Sequence, residues 1–298
     1  MTVVSAIDAH HHLWDLAENE YPWLIGPPVE AHFGPYDKIR KDYLVEDYLH
    51  DIRGQHIVKS VHVEAGSDPS DPVKETRWLQ RQADTHGFPH GIVAHANLAA
   101  ENIREVLEAH CRSPNVRGIR MLMRPPGALR RGHPIAGSPM TDGGWRRGFA
   151  LLGEMNLTFD LQAPPPLMAE AADVAASFPD TRLVLTHAGL PLDRTAEGMA
   201  AWRKGMRLLA GRPNVVVKIS GIPMTDWRWS VESLRPIVLE TIDVFGVERA
   251  MFGSNFPVDG LYSDYATLWG AYRDITAGYT PEERRRLFHD NAERVYRL

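Results

Sequence analysis

Val3-Val4-Ser5-Ala6-Ile7-Asp8-Ala9-His10-His11-His12-Leu13-Trp14-Asp15 decides the fold, because an apolar first strand runs into histidines and not into a glycine-rich turn. A doubly wound dinucleotide-binding sheet needs G-x-G-x-x-G at that point, so that backbone can approach a pyrophosphate. Outward from this strand, further short apolar runs lie at 58–64, 91–96, 116–122, 157–162, 182–187, 215–220 and 249–253. Amphipathic stretches separate them, with helices expected over 45–52, 73–86, 102–111, 167–178, 198–209 and 231–245. Thr280-Pro281-Glu282-Glu283 supplies an N-cap, a proline at the first helical position and a capping-box glutamate, so a last helix starts there. About eight strand and helix units with no composition break predict an α/β protein, a (β/α)8 TIM barrel forming a single domain over residues 1–298.

The 298 residues carry a net charge of −5, which offers nothing to a polyanion, so nucleic acid is not an expected partner. The single cysteine, Cys111, excludes an internal disulfide and suits a reducing compartment. No apolar run approaches the roughly 20 residues that span a bilayer, and residues 1–5 lack the basic start of a signal peptide. A cytoplasmic enzyme acting on a small molecule, with no membrane or nucleic-acid partner, is the expectation. A homo-oligomer stays open.

Strict alternation along the first strand places Asp8, His10 and His12 on one face and Ile7, Ala9 and His11 on the other. Two imidazoles aimed at one point suit a divalent cation, zinc being the usual occupant, and His187 at a later strand end would complete a three-nitrogen set. Inward positions are also expected for His62 with Glu64, Asp160 with Gln162, Lys218 with Ser220, His95, and Arg120. Arg120 and Arg124 would clamp an anionic group on the substrate, unless Arg120 pairs with Asp160 or Glu64. Two long connections, 13–57 and 124–144, read as covers of the barrel mouth, with Tyr21, Trp23 and Leu24 over the site and Trp14 beside it.

Asp8-Ala9-His10-His11-His12-Leu13-Trp14-Asp15, Tyr21-Pro22-Trp23-Leu24, Val116-Arg117-Gly118-Ile119-Arg120, Phe159-Asp160-Leu161-Gln162, Thr186-His187-Ala188-Gly189, Lys218-Ile219-Ser220-Gly221 and Met251-Phe252-Gly253-Ser254-Asn255-Phe256-Pro257 together resemble the amidohydrolase superfamily. The resemblance is to its branch of sugar-acid lactonases, sulfomuconolactone hydrolase and pyrone dicarboxylate lactonase. It implies a distorted barrel, lactone hydrolysis, and a site built on the first-strand His pair, the sixth-strand His and an acid on the eighth strand. This chain departs from that pattern with Asn255 where the acid stands, and with Arg120 where a bridging lysine would serve two metals.

The leading expectation is a hydrolase opening a lactone of a small acidic or polyhydroxy compound. The alternatives are a metal-dependent decarboxylase of a carboxylated ring and a non-catalytic scaffold that binds small acids. The expected metal is a divalent ion, zinc first, at His10, His12 and His187, with a metal-independent mechanism as the other option. Because an amide cannot take a proton from water near neutral pH, Glu64 is expected as general base, with Asp160 and His95 as the other inward groups and Asp259 a short loop away. The substrate is expected to meet Trp14, His95, Arg120, Arg124, Gln162 and Lys218.

Overall fold

The computed structural model describes residues 4–123 and 138–298. Arg124, and most of the second long connection, therefore lie outside the described residues. Eight strands form one parallel sheet in sequence order: β1 (Ala6–His11), β2 (Ile57–Val63), β3 (Gly91–His95), β4 (Val116–Arg120), β5 (Thr158–Leu161), β6 (Leu183–Leu185), β7 (Val215–Ile219) and β8 (Ala250–Phe252). The ends of the sheet meet where Asn255 N–H donates to His10 O at 2.7 Å and His12 N–H donates to Phe256 O at 2.7 Å. These bonds close a (β/α)8 barrel.

Parallel strands are covered on both faces, which is why they read as continuous apolar runs and not as alternating ones. Helices at Lys74–His86, Ile103–Cys111, Met168–Ser177, Ala196–Ala210 and Val231–Phe245 cover the outside, close to their sequence-based positions. A helix at Gly143–Glu154 was not anticipated. Gly143-Gly144 reads as a breaker, yet the Asp142 side chain accepts from Trp145 N–H and caps the first turn. The Thr280 cap forms as its sequence indicates, with reciprocal bonds to Glu283. Among the described residues no helix is long and apolar enough to cross a membrane.

Inside the barrel, Ile7, Ala9, Val61, Val63, Val93, Val184, Val216 and Met251 pack together over Val295 and Tyr296 of the C-terminal helix Asn291–Tyr296. Two sequence-based face assignments change as a result. Asp8 does not share its face with His10, because the register slips between Asp8 and His11. A slip of this kind turns side chains across the sheet. Asp8 points outward, accepting from Ser254 Oγ at 2.6 Å, Tyr265 OH at 2.9 Å and Tyr48 OH at 3.2 Å. His62 also lies outside, since Val61 and Val63 take the interior positions, and it packs edge-on to His11 at 5.8 Å.

Candidate active site

The C-terminal strand ends open into a cleft of about 900 Å³, open mouth included. Its polar floor consists of His12, Arg120, Gln162, His187 and Asn255. His187 and Asn255 follow β6 and β8 with φ of +56° and +57°. Left-handed backbone is rare outside glycine, although Asn and His adopt it more readily than most, and it swings both side chains off the strand path into the mouth. Gly221, after β7 at φ +60°, leaves room for this turn, because a Cβ there would stand 2.4 Å from His187 Nδ1.

The tautomer of His12 follows from its neighbours. Nδ1 lies 2.7 Å from Val63 O, and a carbonyl can only accept, so Nδ1 carries the proton and Nε2 presents a lone pair. Nε2 faces Asn255 Oδ1 at 3.3 Å, while Asn255 Nδ2 donates to Asp259 Oδ1 at 3.2 Å. Burial, then the Arg120 charge, hold the His12 imidazole down to about 4. Burial also pushes His10 and His187 well below the ordinary histidine range, with Lys218 the next cause at His10 and Arg120 at His187. All three rings are neutral donors at neutral pH.

Whether they suit a metal turns on His10, whose two ring nitrogens are buried with no hydrogen-bond partner. An orphaned neutral imidazole, beside His187 at 4.6 Å and His12 at 5.1 Å between ring centroids, fits a divalent ion chemically. The rings are not closed around one point, however. Among the described residues the trio with ligand atoms within 4.8 Å of one another is His289, Asp290 and Glu293, a half-buried group whose carboxylates pair with Arg285 and Lys59.

Arg120 takes the paired arrangement. Its Nε donates to Glu64 Oε1 at 2.7 Å, and a second nitrogen donates to Glu64 O. Burial works to raise the Glu64 carboxyl, but Arg120, His95 and the Gly66 N–H hold it down to about 2. Arg120 thus engages both the carboxylate and the carbonyl of Glu64, and Glu64 is not among the residues that line the cleft, so it is not placed to act as general base. Asp160 and Lys218 are also withdrawn from substrate. They form a fully buried pair at 2.6 Å, with Tyr296 OH on both Asp160 oxygens at 3.0 and 2.9 Å. His95 does not line the cleft; its carbonyl accepts from His110 Nε2 at 3.0 Å.

Of the expected cover, Trp14 and Trp23 line the cleft, while Tyr21 and Leu24 are buried in the core. His32, Phe33, Leu122, Met224 and Val258 also line the cleft and were not singled out from sequence. Leu122, Met224 and Val258 stand just past β4, β7 and β8, the position where any barrel residue is a candidate.

The comparisons with known proteins agree with this architecture. The chain is 45% identical over 100% of both chains to an uncharacterized protein, y4mH, of Sinorhizobium fredii. It is 30% identical to an L-fucono-1,5-lactonase of Burkholderia multivorans, covering 98% of this chain and 96% of the relative. The solved structure of an amidohydrolase from Burkholderia multivorans with bound zinc superposes with a TM-score of 0.82 at 26% identity, covering 99% of each chain. The model of the Amidohydrolase family matches residues 7–298, and the chain belongs to that family as an enzyme of the hydrolase class.

Proposed function

We propose that the enzyme opens a lactone, adding water across a cyclic ester. The observation that carries this reading is the His12 Nε2 lone pair on the cleft floor, set free because Nδ1 donates to Val63 O at 2.7 Å, with the Asn255 amide beside it at 3.3 Å. A water donating to Nε2 would turn a lone pair toward a carbonyl carbon lodged above it. Because Val63 O fixes the His12 tautomer, Nε2 is free to take that proton as the C–O bond forms. Asn255 orients the water without itself titrating, and Asp259 holds the amide from behind. The ring oxygen leaves with the proton that His12 took from water, and the product is a hydroxy acid that is fully ionised at neutral pH. The lactonase relative at 30% identity supports the same bond chemistry.

His10, His12 and His187 are the residues that would hold a divalent ion, in which case His12 Nε2 would be a ligand and not the proton acceptor, and zinc matches three imidazole donors. When bound, such an ion supplies Lewis acidity to a carbonyl oxygen or to water. The test is proton release during incubation with a panel of aliphatic, aromatic, sugar and carboxylated lactones, together with elemental analysis of protein purified without chelator. Saturable proton release with at least one lactone is the expected result. Protein that opens none of them refutes the proposal.

A further inference from the structure

We infer that the substrate of this site is an uncharged lactone bearing an aromatic or alkyl substituent, seated against the rings of Trp23 and Phe33. The inference rests on the lactone-opening reading and specifies its substrate class. It departs from the acidic or polyhydroxy compound that the sequence suggested, and it stands on two independent features of the cleft.

The first feature is the wall. Trp23 Nε1 donates to Ala65 O at 2.7 Å and Trp14 Nε1 donates to Lys41 O at 2.6 Å, so neither indole has its N–H left for a ligand. What the wall offers is ring carbon. Trp23 is fixed edge-on against Trp14 at 5.6 Å and against Phe33 at 6.1 Å, so the surface is preorganised. Leu122, Leu167 and Val258 continue it with aliphatic carbon. A sugar lactone brings several hydroxyls, and each one buried against carbon without a partner lowers affinity by roughly tenfold or more. A phenyl or alkyl group gains on the same surface.

The second feature is charge. Among the described residues lining the cleft Arg120 is the cation, and its guanidinium is matched by Glu64 at 2.7 Å with both groups buried. Arg120 therefore has no charge left to offset the hydration that a carboxylated substrate would lose. A neutral ester carbonyl has no such penalty.

The experiment compares, on the full chain, kcat/KM for a phenyl-substituted butyrolactone, a fuconolactone and a dicarboxylated pyrone. Binding of a phenyl-substituted lactam and a polyhydroxylated lactam, neither of which turns over, is measured by calorimetry in parallel. The phenyl lactone should exceed each of the others by roughly 10- to 100-fold, in line with burial of one aromatic ring. Phe33→Ala should raise KM for the phenyl lactone by roughly tenfold more than it raises KM for the fuconolactone. Preference for the sugar or the dicarboxylate, or equal binding of the two lactams, overturns the inference while leaving lactone hydrolysis standing. Tighter binding of the phenyl lactam with no lactone opened refutes the reaction and retains the substrate class.

Discussion

Two neighbouring glutamates show how strongly position governs a carboxyl. Glu64 is held at about 2 by Arg120, whereas Glu75, buried behind it, is pushed up to about 8, first by burial and then by the Glu64 charge. Glu75 Oε1 accepts from Ala65 N–H at 3.1 Å. In the unfolded chain Glu75 releases its proton near 4.5, so between pH 4.5 and 8 the native state binds a proton that the unfolded state has lost. Stability from this residue is full below 4.5 and declines as pH rises toward 8, by on the order of 5 kcal/mol in total. Glu75→Gln keeps the acceptor for Ala65 and removes the titration. Urea midpoints should match wild type at pH 4.5 and exceed it clearly at pH 8.5. Parallel curves for the two proteins would mean that Glu75 is ionised in the native state.

At the scale of elements, the strand ends do the positioning. Gly221 supplies a left-handed turn against which His187 rests, its Nδ1 3.1 Å from Ser220 Oγ. Gly221→Ala combines a strained φ with a Cβ 2.4 Å from the ring, so His187 must move. Lactone hydrolysis should fall by about 100-fold, as for a misplaced catalytic group, with a far smaller fall in Tm. A variant that keeps its kcat/KM would show that His187 is not needed where it stands. The elements themselves were legible in the sequence, since doubly covered strands and the Thr280 cap depend on local residue order. The slip in β1 was not legible: Asp8 faces outward to the Tyr48 and Tyr265 hydroxyls, while His10 turns toward His187. Nor was the Glu64–Arg120 pair decided by local order. It joins β2 to β4 across the intervening strand, and sequence spacing carries no information about such a reach. His12, Arg120, Gln162, His187 and Asn255 were found because strand ends of a barrel converge whatever their register.

For the whole molecule, the barrel interior is layered: apolar side chains and Tyr296 at the bottom, the Asp160–Lys218 pair above them, and the histidines at the mouth. Burial lowers the Lys218 amine, while Asp160 works to keep it charged. Lys218→Met leaves Asp160 as an unmatched buried charge and should destabilise by about 3–5 kcal/mol. Adding Asp160→Asn should recover most of that loss, which chemical denaturation of the two single variants and the double variant measures. Additive losses would show that the pair acts as two independent groups.

The closure between β8 and β1 has a consequence for biosynthesis. His10 and His12 leave the ribosome well before Asn255 and Phe256, yet the bonds that seat them come from those later residues. A nascent chain therefore carries unsheltered imidazoles until β8 is made, with no catalytic floor and with a sheet open at both edges. Competence arrives late and at once, when the eighth strand emerges and docks. Ribosome-stalled chains ending before residue 250 should be inert and chaperone-dependent, since what they lack is the other side of a seam.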